Sequence, residues 1–429
     1  MDRAHYMIIG NSVAAVAAVA GIRVHDRSRP ITMLAREPRH TYSRPLISYL
    51  LAGRVDENQM FYRGPTFYED NCAEARLGVE IVHVDPLGRT VETAGGQELG
   101  FERLLIATGG SPVVPPALDG AQADGVFTFT TWDDAEAVRY YIQNQGVERA
   151  VVVGAGLIGI KALEALVAMG LDVTVVELAD QVLSTALDRT AGELTRQQME
   201  RAGVDVRTGT TISRIETIRG AVSGAVLRDG QRVKCGMVIL AIGVRPNTAL
   251  VADTAIELDR GILADHTMQT SVEGIYAAGD VAQAPDLLAA GRSCIPIFPD
   301  AYRQGVVAGR NMAGGDATYD GGVAMNSVDV FGLPTISVGV TVPGDGDCET
   351  LCELDREAGT YRKVVLRGNR VVGAVFVGSI DRAGIITGLI RGRVDVNSVK
   401  DLLLTDQFGL LSLPQEYRKH VVSGAGIEV

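Results

Sequence analysis

Two short turns of one design punctuate this 429-residue chain, Gly10-Asn11-Ser12-Val13-Ala14-Ala15 and Gly154-Ala155-Gly156-Leu157-Ile158-Gly159. Each follows an apolar run that reads as a strand, His5 to Ile9 and Ala150 to Val153, and each opens an alanine-rich run that reads as a helix. A strand, a tight turn and a helix in that order need small residues, because the backbone bends sharply, the helix packs on the strand and a ligand approaches the main chain. The helix N-terminus then offers unpaired N–H groups and the positive end of its dipole, an arrangement that suits a pyrophosphate. The second copy carries all three glycines, Gly154, Gly156 and Gly159. The first has Ser12 and Ala15 where glycines are usual, and alone it reads equally well as an ordinary βα turn. Two copies imply a chain that holds two dinucleotides at once.

The bulk numbers fit an enzyme of two or three domains. A hydrophobic content of 46% is ample for sizeable cores. The formal charge of −12 argues against nucleic acid and anionic membrane surfaces, which demand basic patches. No apolar run reaches the ~18 to 20 residues of a membrane span. Met7 to Ile22, with alanine-x-alanine triplets inside it, could pass for a secretory signal, but cleavage there would destroy the first turn. Five cysteines without regular spacing suggest a reducing compartment, so a cytoplasmic location is expected.

Along the chain, Pro30 to Leu34 reads as a second strand, followed by Arg36 and Glu37; an acidic residue about 20 positions after such a turn can hold a ribose 2′-hydroxyl. The alternative for Glu37 is a solvated loop carboxylate. Arg103 to Gly109 reads as a buried parallel strand, and the prolines from Pro112 to Pro116 as a linker leaving the domain. Trp132 to Gly146 has a polar helix pattern, Asp172 to Glu177 is a strand ending in an acid, and Met237 to Ile242 is a strand leading to Gly243. Gly274 to Asp280 is a strand ending in Gly-Asp. Hairpin-like segments from about Gly321 onward mark a third, α+β unit.

These pieces in this order resemble the pyridine nucleotide-disulfide oxidoreductase superfamily over nearly the whole chain. Within it, Asn326-Ser327, Phe331 to Pro334 and Ser379 to Gly384 look most similar to flavin subunits of anaerobic NAD-linked complexes, phenylglyoxylate dehydrogenase and tungsten aldehyde oxidoreductase among them, and to the flavin part of nitrite reductase. The resemblance implies an α/β fold of two Rossmann-like domains with a C-terminal α+β interface domain. It implies a discontinuous FAD domain, residues 1–114 and 247–320, an NAD domain, residues 115–246, and an interface or dimerisation domain, residues 321–429. It implies FAD contacts at Gly10, Ser12, Val13, Ala15, Glu37, Arg44, Pro45, Ile81, Thr108, Gly109, Asp280, Ile297 and Phe298. An N-cap role for a following helix is the alternative for Asp280. It implies NAD contacts at Gly154, Gly156, Leu157, Ile158, Gly159, Glu177 and Gly243. Lys161 stands where many relatives carry a glutamate, so it is either a catalytic candidate or a lysine on the solvated side of a helix.

Glu177 ends its strand, and a 2′-phosphate there would meet a like charge. At ~4 Å and an effective dielectric near 20 that repulsion is about 4 kcal/mol before relaxation, which favours NADH over NADPH. The loop where redox-active relatives carry cysteine, Tyr42 to Gly53, has none, so thiol chemistry is not expected. Cys348 and Cys352 fall short of the four ligands a zinc or iron-sulfur site needs, and the six histidines do not cluster, so no metal is expected. A flavin with no second redox centre points to an NADH:acceptor subunit that exchanges electrons with an iron-sulfur protein or a larger complex, with a homodimer as a further option. A free-standing NADH oxidase or diaphorase, an NADH:rubredoxin or ferredoxin reductase, and a flavin-bearing scaffold are the alternatives.

Overall fold

The computed structural model describes residues 3–344, 346 and 348–413. The last part of the expected third domain, residues 414–429, lies outside the described residues. Strands Arg3–Ile9, Ile31–Ala35 and Ala73–Leu77 run parallel, and Glu98–Ile106 joins on the other side of Arg3–Ile9. Glu98–Ile106 is the branch point of this seven-stranded sheet. Its first half pairs antiparallel with Thr90–Thr93, which continues to Ile81–Asp85, and its second half pairs parallel with Ile275–Ala277. The chain therefore leaves this sheet after Ile106 and completes it only at Ile275.

The intervening residues repeat the plan. Asp205–Thr208, Asp172–Glu177, Arg149–Val153, Met237–Leu240 and Val126–Phe127 form a parallel sheet in that order, beside a meander of Ile212–Ile218, Ala221–Leu227 and Arg232–Val233. The third unit is a five-stranded antiparallel sheet ordered Met325–Val330, Leu333–Gly339, Arg370–Val377, Thr360–Arg367 and Cys348–Asp355. One of its faces carries Val364, Leu366 and Phe376 against helix Ala383–Arg391, and the other packs Val375, Val377 and Val330 into the core of the second unit. Arg370–Val377 is accordingly a run of apolar residues buried on both sides.

Two expectations change. The proline-rich segment does more than link: Gly110–Pro112 pairs antiparallel with Val244–Pro246, so the two crossings between the first and second units form one ribbon. Proline fits because the ribbon has only two strands, so a missing N–H can face outward. Asp280 is also no helix cap, since the chain continues as strand Ala282–Pro285 and the next helix is Phe298–Met312.

That helix lies on the first fingerprint helix, Val13–His25, at backbone distance. A Cβ at Gly305 would sit 2.2 Å from the carbonyl oxygen of Ala14, one at Gly309 2.1 Å from that of Ala18, and one at Gly21 2.4 Å from that of Val306. Gly305→Val should therefore force the helices apart and cost about 1 to 3 kcal/mol or more. Gly388→Ala, at an open helical position, should be neutral or stabilising. Chemical denaturation midpoints of the two variants test the contrast; equal midpoints would refute the close-packing account.

Candidate functional site

Both fingerprint turns are built by the same main-chain bonds. Gly10 N–H donates to Leu34 O at 2.8 Å and Gly154 N–H to Val176 O at 2.7 Å, while Ala107 and Ala241 N–H donate to Ile9 O and Val153 O at 2.8 Å. Both glycines have positive φ, 132° and 103°, and an added Cβ would lie 2.2 Å from Ala107 O or 2.4 Å from Ala241 O. Only glycine fits such a turn. The third position differs: a Cβ at Gly159 would lie 1.9 Å from Gly154 O, whereas Ala15 is accommodated and fully buried. Val13 starts the first helix with Ser12 at its N-cap, and Leu157 and Ile158 start the second with Gly156 at its N-cap. Neither helix has a side-chain cap or an acidic residue in its first turn. Helices Trp132–Gln145 and Arg189–Arg201, by contrast, are capped by Thr131 and Asp188. The N–H groups at the starts of these two helices, behind Ser12 and Gly156, thus have no side-chain cap and are left to a phosphate, and the residues fit the group.

Around the first turn the structure gathers Glu37, Arg44 and Asp280. Arg44, with Pro45 in the short turn Arg44–Leu46, donates to Glu37 Oε1 at 2.5 Å and to Thr130 O at 3.0 Å. Tyr42 hydroxyl donates to Glu37 Oε2 and accepts from Trp132 N–H at 3.1 Å. Glu37 is therefore not a solvated loop acid, and its neighbour Arg36 faces Glu80 instead at 3.8 Å. The hydrogen-bond pattern also makes Ala35, not Glu37, the counterpart of Glu177, because each follows the residue whose carbonyl receives the fingerprint glycine. Asp280 sits near Arg44, and burial raises its pKa above the usual carboxylate value despite that guanidinium. Thr108 and Gly109 clasp Asn247: Thr108 hydroxyl donates to Asn247 O at 3.0 Å, and Asn247 donates to both Thr108 O and Gly109 O. Ile81 opens its strand beside the end of Ile31–Ala35, where Val79 N–H donates to Ala35 O at 2.8 Å. Ile297 caps the helix that Phe298 begins, and the Phe298 ring meets Tyr62 edge-on at 5.2 Å.

At the second turn Glu177 is fixed from two sides. Ala155 N–H of the turn donates to its Oε2 at 2.7 Å and Ala179 N–H to its Oε1 at 2.8 Å. Gly243, with φ of 118°, accepts from Val113 N–H at the ribbon between the units. Lys161 does not simply face solvent. Its ammonium donates to Glu164 Oε2 at 2.6 Å and to Asp329 O of the third unit at 2.7 Å, and Glu164 Oε1 accepts Phe331 N–H at 2.8 Å. The pair Lys161 and Glu164 therefore fastens the nucleotide helix to a hairpin of the third unit.

Sequence reasoning missed the packing around the first turn. Tyr68 hydroxyl donates to Asn11 Oδ1 at 2.8 Å, and Asn11 Nδ2 donates to Arg39 O at 3.1 Å. Arg39 in turn stacks over Trp132 at 4.6 Å and pairs with Asp133 and Glu136. Nothing in the local sequence signals these partners. Cys294 also comes close to Asp280, but burial raises its pKa, so it is a thiol rather than a thiolate. Among the described residues no three His, Cys, Asp or Glu side chains are grouped as metal ligands. The raised pKa of Asp280 has a definite sign: the folded chain binds the proton more tightly than the unfolded chain, so ionisation costs stability as pH rises through the window above the ordinary carboxylate value. Asp280→Asn should raise the melting temperature of cofactor-free protein, and by more at pH 8 than at pH 4. Paired melts at those two values check it, and a loss of stability at pH 8 would contradict it.

Comparison with known proteins agrees with this construction. Residues 4–305 match the pyridine nucleotide-disulphide oxidoreductase family, and residues 325–394 match the rubredoxin NAD+ reductase C-terminal domain. The chain is 34% identical over 411 residues to the epsilon subunit of NADH-dependent phenylglyoxylate dehydrogenase of Aromatoleum evansii, covering 93% of this chain and 95% of that one. It is 32% identical over 320 residues to an NADH oxidase of Methanocaldococcus jannaschii, covering 73% and 71% of the two chains. Putidaredoxin reductase, solved in covalent complex with putidaredoxin, has the same fold, with a TM-score of 0.85 at 24% identity over 98% of this chain and 99% of that one. The family binds FAD and NAD(H). The expected α/β fold and the expected kinship both hold, and the chain belongs to the pyridine nucleotide-disulphide oxidoreductase family as an NAD(P)H-dependent flavin oxidoreductase.

Proposed function

We propose that this chain exchanges electrons between NAD(H) and an iron-sulfur protein through one bound FAD, as a subunit or close partner of a larger oxidoreductase. The observation that carries this reading is the pair of uncapped fingerprint helices in one chain, combined with a loop from Tyr42 to Gly53 that has no cysteine. In our reading residues 1–114 and 247–320 hold FAD and residues 115–246 hold NAD(H). FAD supplies the chemistry of taking a hydride and releasing its electrons one at a time. The chain's own residues do the rest. The N–H groups behind Ser12 and Gly156 bind the two pyrophosphates. Arg44 and Asp280 orient the flavin end, and the Ile297–Phe298 corner aims the dipole of helix Phe298–Met312 at it.

Glu177 selects the nicotinamide nucleotide in this scheme. Two backbone N–H groups hold its carboxylate in place, so it cannot swing away from a 2′-phosphate. NADH should reduce the flavin anaerobically much faster than NADPH, and Glu177→Ala should narrow that preference on the order of tenfold or more, since it removes charge-assisted hydrogen bonds together with the repulsion. Stopped-flow bleaching of the flavin reads both, and equal rates with the two nucleotides in the parent would rule out this role.

The iron-sulfur partner is favoured by two likenesses: to a subunit of an NADH-dependent dehydrogenase, and to a C-terminal domain type that belongs to a rubredoxin reductase. The likeness to an archaeal NADH oxidase favours the second reading, a free-standing oxidase. Affinity isolation from the native host, with assays of the isolated chain, separates the two. We expect copurifying iron-sulfur protein, slow reaction with oxygen, and NADH-dependent dye reduction that survives thiol alkylation. Recovery of the chain alone with rapid NADH-oxygen turnover would move the assignment to the oxidase, and loss of activity on alkylation with FAD retained would reveal a redox cysteine.

A further inference from the structure

At the end of the first sheet's central strands opposite the fingerprint turns, an open cavity of about 530 Å³ is lined by Arg3, Arg29, Arg89 and Arg103, with His5 and Glu102. Cavities of this size commonly hold small molecules. Four guanidinium groups on one cavity run against a chain whose formal net charge is −12.

The charges of Arg89 and Arg103 are not neutralised by any carboxylate contact among the described residues. Glu102 is engaged by His5 Nδ1 at 2.5 Å, and His5 Nε2 faces Arg29 Nη1 at 2.8 Å. Arg29 has a further carboxylate in Asp26 at 3.7 Å. Arg89 donates only to neutral carbonyl oxygens, of Glu102 at 2.7 Å and Glu273 at 3.3 Å. Arg103 has no hydrogen-bond or ion-pair partner among the described residues, although Asp265 and Glu273 lie in the neighbourhood of Tyr276 beside it.

Gly274 leaves the space that these groups enter. A Cβ there would lie 2.8 Å from Nη1 of Arg103 and 3.1 Å from Nη1 of Arg89, which puts the two nitrogens within about 6 Å of each other. Two cations so close repel, and an anion between them removes the repulsion while accepting charge-assisted hydrogen bonds. The end of helix Phe298–Met312 also borders the cavity, and there the carbonyls of Gly309, Arg310 and Asn311 accept N–H bonds from Ala313, Gly314 and Gly315, which offsets part of the negative partial charge at that helix end.

We propose that this cavity is a binding site for a small, multiply charged phosphate compound, separate from both nucleotide turns. Arginine's planar fork matches phosphate oxygens, and a ligand with two or more charges answers the cluster best. Calorimetric titration of the full chain, as isolated and with NAD+ saturating, should detect inorganic pyrophosphate binding that weakens as salt is raised. Arg3→Gln/Arg103→Gln should weaken it on the order of tenfold or more, leaving flavin content and the rate of reduction by NADH unchanged. Arg103→Lys, which keeps the charge but loses the fork, should fall between parent and double variant, and it serves if the double variant does not fold. ADP binding more tightly than pyrophosphate would identify a nucleotide as the source of the phosphate, and equal binding would identify the phosphate group alone. No pyrophosphate heat at millimolar concentration, binding indifferent to these variants, or binding of a hexaglutamate peptide where pyrophosphate fails would each overturn the proposal.

Discussion

The contact on which the first nucleotide unit depends is the backbone-to-backbone packing of helices Val13–His25 and Phe298–Met312. Gly305 and Gly309 bring the second helix onto the carbonyl oxygens of Ala14 and Ala18, closer than any side chain allows. Gln304 of the same helix accepts the Gly279 N–H at 2.8 Å, which fixes the approach of Asp280 to a turn more than 260 positions earlier. Site geometry is thus set by small residues far from the chemistry, and burial of the alanine-rich helix supplies the driving force.

A second set of contacts joins the nucleotide units to the C-terminal sheet. Asp188 caps its helix while accepting Tyr361 hydroxyl at 2.8 Å and Lys363 ammonium at 2.7 Å, and Lys363 also donates to Thr341 O. With Lys363 only 7% exposed, removing either partner would strand a buried charge. Together with Lys161, Glu164 and the bond from Gln198 to Phe331 O, this holds the second unit against the third as one body.

The sequence made both βα turns legible because small residues, apolar strands and alanine-rich helices are local signals. It also showed Glu177 at a strand end and the hairpin of Thr360–Arg367 with Arg370–Val377, since turn chemistry is local too. What escaped depends on partners distant in the chain. The prolines around Pro112 looked like a linker because their strand partner, Val244–Pro246, lies beyond an entire nucleotide unit. For Glu37 a solvated loop acid stayed open because nothing nearby announced Arg44 and Tyr42 folding back onto it. For Lys161 the sequence left a catalytic role and a solvated helix face both open, because helical periodicity cannot foresee a carbonyl from Asp329.

The split of the first sheet between residues before Ile106 and residues after Ile275 has a consequence during synthesis. At ribosomal rates the intervening stretch takes roughly 10 to 35 s to emerge. Throughout that interval Leu104–Ile106, fully buried in the finished protein, is an open apolar sheet edge with no neighbour. The inserted unit is continuous and can mature while its host waits. Nascent chains of this protein are thus half-assembled for roughly two-fifths of their synthesis, and their solubility in that period rests on whatever covers that edge.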